Sequence, residues 1–293
     1  MIQLIKSMQL LWLLWLILTS IGATLQEQKI WKNKNLPSAT TFGLFKMFML
    51  NIIWMSLTQL GVFLALIKCL LTRSMDARNI SHNFVERYVA QLLIKVLIGS
   101  SVEIRGLENL PPNHPGSPAP VYIANHASQI DVAAVYYLNR SWRWIAKSSV
   151  FILPGVGQLM WLGGHVFIDR VKKKNKSFTG TRNLYVKSNK SIQEGVPMFF
   201  FPQGTRRLGE RLPFKAGAFK VAMENKSVIV PISIEIPLSA WNSSYPFTMK
   251  KVDPVVLTVH KGIESKEYSE MDTLMSKCYD TIYSVLTDHS KEN

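Results

Sequence analysis

The sequence predicts a mixed α/β domain, a largely buried sheet flanked by helices, preceded by N-terminal hydrophobic membrane helices. Three observations predict it. Short runs rich in β-branched and aromatic residues recur between residues 102 and 260: VEIR, PVYIAN, WRWIAK, HVFID, PMFFF, SVIVPISIE and PVVLTVH. Such runs read as strands. Stretches with helical periodicity lie between them at about 131–138, 177–194 and 214–224, and strands alternating with helices build a sheet covered by helices. Finally, the first quarter of the chain is apolar, with Leu10–Ala23 followed by Met47–Ile67, 21 residues without a charge.

Taken in order, Leu10–Ala23 sits behind a single cation, Lys6. It is short for a span and fits either a signal-peptide core, with Ser20-Ile21-Gly22 as a cleavage site, or an uncleaved membrane helix. A basic linker with Lys29, Lys32, Lys34 and Pro37 follows. Met47–Ile67 is long enough to cover a hydrocarbon core of ~30 Å at about 1.5 Å per residue. Its polar members, Asn51, Ser56, Thr58 and Gln59, suit packing against another helix. Lys68, Arg73 and Arg78 follow it and suit a cytosolic side for the chain beyond, although the linker before it is basic too. Residues 82–99 read as an amphipathic helix with Phe84, Tyr88, Leu92 and Val96, and Pro111 to Pro120 as a surface loop. Residues 271–287 close the domain as a second amphipathic helix. The organisation expected is residues 1–80 as membrane-associating helices and linker, and 81–293 as the α/β domain.

Composition narrows the partners. With 34 Lys and Arg against 19 Asp and Glu, the chain carries a formal +15. A basic chain suits nucleic acid, an anionic membrane or a phosphorylated substrate. Nothing resembles a nucleic-acid module, and the apolar N-terminus together with a mean hydropathy of +0.10 favours the membrane. Cys69 and Cys278 are the two cysteines. They form neither a disulfide framework nor a metal-ligand spacing, which fits a reducing compartment.

The stretch VYIANHASQID, residues 121–131, carries the most chemical information. A strand runs into Asn125-His126, and Asp131 follows five positions after the histidine. On one continuous helix, residues five apart diverge by roughly 140° at about 3.6 residues per turn. The two meet if His126 lies in the strand-to-helix turn, Ser128 caps the helix, and Asp131 reaches back from its first turn. A histidine so held is a general base; the pair alone also fits a loop histidine and an unrelated first-turn acid.

Three further segments follow in order: GGHVFIDR at 163–170, FFFPQGTRR at 199–207 and VIVPIS at 228–233. With NHASQID they resemble the motifs of the glycerolipid acyltransferase family, the 1-acylglycerol-3-phosphate acyltransferases, whose patterns are NHxSxxD, GxxFIxR, FPEGTR and a VP-containing strand. Weaker likenesses are VEIRGLENLP at 102–111, Lys147, PGVGQLMWLGG at 154–164 and PFKAGAFKVA at 213–222; the resemblance covers roughly 82–287. One position departs: Gln203 stands where the family usually has glutamate. Glutamine keeps the shape and hydrogen-bonding capacity but lacks the charge.

The resemblance implies acyl transfer from acyl-CoA or acyl carrier protein to the 2-hydroxyl of 1-acyl-glycerol-3-phosphate (lysophosphatidic acid), giving phosphatidic acid at a membrane, with the catalytic domain on the cytosolic side. His126 is the expected base and Asp131 the group that fixes its tautomer. Arg170 and Arg206 suit the acceptor phosphate, because a guanidinium binds two oxygens at once. Gly204 permits close backbone approach, Thr205 adds a donor, and Lys215 assists. Gln203 is expected to orient Arg206 or another cation. Lys172, Lys173, Lys174 and Lys176 suit a solvated loop or anionic headgroups, His165 reads as structural, and PGVGQLMWLGG as core or an acyl-chain groove. No G-x-S-x-G elbow occurs, and neither cysteine lies in a motif, which favours direct attack by the acceptor over an acyl-enzyme. The alternatives are another lysolipid or glycerol-3-phosphate as acceptor, a non-catalytic lipid-binding protein on the same fold, and an exported hydrolase.

Overall fold

The computed structural model describes residues 41–73, 81–98, 102–112, 118–168, 177–207, 209–237 and 254–287, with Leu10, Leu14 and Gly116. Most of Leu10–Ala23, the linker after it, Arg170 and the lysines at 172–176 lie outside these residues.

The chain enters through a long helix, α1 (Thr41–Thr72). A π-helical stretch, Ser81–Val89, then runs directly into α2 (Ala90–Ile98). The strands are β1 (Val102–Arg105), β2 (Val121–Ala124), β3 (Arg143–Lys147), β4 (Val166–Ile168), β5 (Met198–Phe200), β6 (Val228–Glu235), β7 (Val255–Val259) and β8 (Ile263–Glu264). Between and after them lie α3 (Ile130–Ala134), α4 (Val156–Leu162), α5 (Ser177–Gln193), α6 (Gly217–Asn225) and α7 (Met271–Tyr283). Every strand-like run read from the sequence forms a strand. The apolar PGVGQLMWLGG stretch contains α4, a helix the sequence reading left undefined, whose Leu159 and Leu162 are buried.

The strands form one sheet in the order β1-β7-β6-β2-β5-β3-β4, with β8 beside β6. β2 is central and runs parallel to both neighbours, pairing Ile123 with Phe200 of β5 and with Pro231 of β6. β6 meets β7 and β8 antiparallel, so the sheet is mixed. All four residues of β2 are buried, as expected for a parallel strand covered on both faces. One face carries a core that includes Tyr122, Trp142, Trp144 and Phe199, with inward residues of α1 and α2. The other is covered by α6 and α7 through Phe219, Val221, Leu274 and Cys278.

α1 has two different faces. Thr58, Gly61, Ala65 and Cys69, spaced by three or four residues, are buried, and their spacing puts them on one stripe. A Cβ at Gly61 would collide with Val85, so α1 and the π-helical stretch approach closely there. Outward stand Leu60, Phe63, Leu66, Ile67, Leu70 and Leu71, all exposed. The window Ile52–Thr72 is long and apolar enough to cross a membrane by length and composition; it begins and ends about five residues later than the uncharged run read from the sequence.

Candidate active site

Parallel strands collect functional residues at their C-terminal ends, where loops from neighbouring strands converge. Here the loop after β2 carries His126 and the loop after β5 carries residues 201–207. Because β2 and β5 are adjacent, residues about 80 apart in sequence become neighbours.

His126 lies between the strand and α3, as its spacing from Asp131 requires. Its Nδ1 is 2.7 Å from Oδ2 of Asp131. That same oxygen accepts the backbone N–H groups of Ala127 (2.7 Å) and Ser128 (2.9 Å). Asp131 is fully buried in the first turn of α3 and closes the turn back onto the loop. With two backbone N–H groups already donating to it, Oδ2 serves as an acceptor, which puts the imidazole proton on Nδ1 and leaves the lone pair on Nε2. The capping differs from the sequence expectation. Gln129, not Ser128, precedes the first helical residue, and Ser128 Oγ instead accepts the N–H of Ile130 at 3.3 Å.

The second loop clamps the histidine backbone. The side-chain Oε1 of Gln203 accepts the N–H of His126, and the N–H of Arg207 donates to the His126 carbonyl at 3.0 Å. This corrects the expectation that Gln203 orients a cation: a buried Gln203 holds the main chain of His126. A carboxylate oxygen accepts the same bond with charge assistance, so the departure from glutamate keeps this contact and changes its charge.

Arg206 reaches the same ring from the other side, with its Nε 3.3 Å from Nε2 of His126. Gly204 adopts φ +70°, and a Cβ there would stand 2.6 Å from Nζ of Lys215. The backbone conformation favours glycine here, and Lys215 lies close against it. Thr205 is exposed. Arg207 contributes its backbone, while its side chain lies 3.7 Å from Glu210. His126, Asp131, Gln203, Gly204, Arg206 and Lys215 are thus brought together.

Sequence reasoning missed three contributors. Asn125 makes paired bonds to the main chain of Ile234: its Nδ2 donates at 2.8 Å and its Oδ1 accepts at 2.7 Å. These bonds tie the loop to the end of β6. Phe201 lies flat under the imidazole, centroids 3.9 Å apart and planes 9° apart. Trp144 stacks on Phe201 at 5.5 Å and 15°. Nothing in FFFP separates Phe201 from its two neighbours; only its place just past β5 turns its face toward His126.

A cavity of about 530 Å³ opens beside His126 and Gln203, walled on its far side by Tyr283 and Leu286. That volume falls in the range of small-molecule sites. Neither cysteine is placed to act as a nucleophile. Cys69 is buried in α1, and burial pushes the Cys278 thiol up to about 12. Among the described residues, no group of His, Cys, Asp and Glu is arranged to hold a metal ion.

Comparison with known proteins follows the same lines. Residues 101–235, a stretch containing all four motifs, match the family model described as Acyltransferase. A 1-acyl-sn-glycerol-3-phosphate acyltransferase of Chlamydomonas reinhardtii is 37% identical over 165 residues, 55% of this chain and 46% of its own. The 1-acyl-sn-glycerol-3-phosphate acyltransferase alpha of Homo sapiens is 33% identical over 157 residues, 53% of this chain and 52% of its own. The chain thus spans about half the length of these curated relatives. The crystal structure of the 1-acyl-sn-glycerophosphate (LPA) acyltransferase PlsC from Thermotoga maritima matches with a TM-score of 0.65 at 22% identity, covering 83% of this chain and 92% of that one. That likeness is one of fold.

Proposed function

We propose that the protein is an O-acyltransferase that moves an acyl chain from a thioester donor, acyl-CoA or acyl carrier protein, to the 2-hydroxyl of 1-acyl-glycerol-3-phosphate, giving phosphatidic acid. The observation that carries this reading is the His126–Asp131 pair at 2.7 Å, within a stretch that matches the Acyltransferase family model. The similar curated proteins are named for this acceptor.

The chemistry follows from the tautomer. With its proton on Nδ1 held by Asp131, His126 takes the acceptor hydroxyl proton at Nε2. The hydroxyl oxygen attacks the thioester carbonyl, and the tetrahedral intermediate collapses with loss of the thiolate. The imidazolium returns its proton to that sulfur. Asp131 stabilises the imidazolium without itself taking the proton, as the acid does in a serine-protease triad. Arg206, with Arg170 and Lys215, holds the acceptor phosphate, and Thr205 adds a donor. No cofactor enters.

The reaction takes place at a membrane surface. The outward face of α1, with Phe63, Leu70 and Leu71 exposed, embeds in lipid while its buried stripe holds the α/β domain against that surface. The domain faces the cytosol, where acyl donors are made. Residues 1–80 form the membrane-associating part and 81–293 the catalytic domain.

The test is product identification. Purified protein in detergent is given labelled acyl-CoA or acyl carrier protein with a panel of lysolipids and glycerol-3-phosphate. Phosphatidic acid formed from lysophosphatidic acid is the expected product; transfer to none of the acceptors would refute the reading.

A further inference from the structure

His126 and Arg206 pose a problem for a base. The proton on Nδ1 belongs to the bond with Asp131, so the only lone pair on the ring is at Nε2. The Nε–H of Arg206 lies 3.3 Å from it and donates to it. A guanidinium does not give up its proton. While Arg206 stays there, Nε2 cannot accept a hydroxyl proton. The geometry therefore describes a capped base.

We infer that Arg206 gates His126: it caps Nε2 when no acceptor is bound, and the phosphate of the acceptor draws it away and frees the base. The inference rests on the acyl-transfer reading above and explains how that site selects a phosphate-bearing acceptor in the rate of transfer as well as in binding.

The energetic direction is set by the partners. The bond from Arg206 to Nε2 is long and ends on a neutral nitrogen. A phosphate offers two anionic oxygens to the planar fork, and charge-assisted bonds of that kind are shorter and roughly twice as strong. The surroundings permit the exchange. Arg206 is an exposed residue and follows Gly204, whose φ of +70° turns the loop. His126 itself does not follow: its main chain is clamped by Gln203 and Arg207, and its ring is held by Asp131 and Phe201. The cap is the movable partner and the base the fixed one.

The experiment splits the acceptor into two pieces. Transfer from acyl-CoA is measured to lysophosphatidic acid and to 1-monoacylglycerol, which lacks the phosphate, with and without added inorganic phosphate against chloride at equal ionic strength. In the wild type, phosphate should raise kcat on monoacylglycerol about tenfold, the size expected when a hydrogen bond from a charged donor is removed from the base. In Arg206→Gln, unaided transfer to monoacylglycerol should rise and phosphate should no longer activate. Arg206→Lys, which keeps a charge without the Nε–H, should lie between. No activation in the wild type, or equal losses on both acceptors in Arg206→Gln, would overturn the gate.

A second measurement does not depend on turnover. In protein labelled with ¹⁵N-histidine, the His126 Nε2 resonance should shift toward that of an unbonded imidazole nitrogen as inorganic phosphate is added, and should already lie there in Arg206→Gln. A resonance that does not move in the wild type would overturn the gate by itself. Absence of transfer to lysophosphatidic acid with a resonance that does move would instead refute the acyl-transfer reading and leave the gate standing.

Discussion

Two histidines among the described residues sit beside carboxylates at nearly the same distance, yet their second ring nitrogens meet different partners. Nδ1 of His126 is 2.7 Å from Asp131, and Nε2 of His165 is 2.8 Å from Glu86. What separates them is the second nitrogen. Nδ1 of His165 accepts the backbone N–H of Trp144 at 2.8 Å, so its proton must lie on Nε2, donated to Glu86. Both nitrogens are committed, and the side chain is fully buried. Nε2 of His126 instead accepts from the side chain of Arg206, an exposed residue, which we propose leaves when the acceptor binds. A histidine–carboxylate contact is therefore no sign of a base until the other ring nitrogen is accounted for.

The His165 pair serves packing. Glu86 also accepts the hydroxyl of Tyr136, and Tyr136 accepts the indole N–H of Trp144 at 2.6 Å. This network fixes the π-helical stretch onto β3 and the residues before β4. Burial and the neighbouring Glu86 hold the Tyr136 hydroxyl well above the ordinary tyrosine range, so it stays a donor at any physiological pH. Sequence reading took His165 as structural, and the geometry agrees.

The sharpest way to break the comparison is to delete each histidine in turn. His126→Ala should lower acyl transfer by ~10²–10⁴-fold, the usual size of a general-base contribution, with thermal unfolding close to wild type. His165→Ala should show the reverse. Glu86 loses a buried partner, which costs about 3 kcal/mol in stability, while transfer by the folded fraction remains. Equal effects of both substitutions on turnover would erase the distinction.

A finer test concerns how His126 is held, since one nitrogen and one ring face do for it what two nitrogens do for His165. Phe201→Leu removes the aromatic face and keeps an apolar side chain. Aromatic stacking contributes about 0.5–1.5 kcal/mol beyond burial, so kcat should fall roughly three- to tenfold with acceptor KM little changed. Phe201→Tyr should restore most of it. A rise in KM without a change in kcat would place Phe201 in substrate binding instead.

The smallest effect is expected at Gln203. Gln203→Glu keeps an acceptor for the N–H of His126, and kcat/KM for lysophosphatidic acid should stay within about threefold, since the bond itself is preserved. Gln203→Leu leaves that buried N–H without its partner, at about 1–3 kcal/mol, and should lower both activity and melting temperature. A Gln203→Glu enzyme that loses all turnover would show that the neutral amide is itself required.

Much of this molecule was legible before any coordinates. The alternation of strand-like and helical runs is local, because side-chain periodicity follows from backbone geometry alone, and every strand run formed a strand. The five-residue spacing from His126 to Asp131 excluded a shared mid-helix position, and the turn found between them is the one that spacing demands. The apolar first helix was visible for the same reason, from composition along a single segment.

What only the tertiary structure decided involves residues far apart in the chain. Gln203 and His126 are separated by 77 positions and Arg206 and His126 by 80. They meet because β2 pairs with β5 rather than with β3, the strand that follows it. Strand order depends on which buried faces pack together, and no short motif records it. The role of Gln203, the stack of Phe201 under His126 and the cap of Arg206 on Nε2 all follow from that adjacency. The sequence by itself determined the residue types the chemistry uses; strand order decided which of them touch, because hydrogen bonds and ring contacts act over a few ångströms of space and not along the chain.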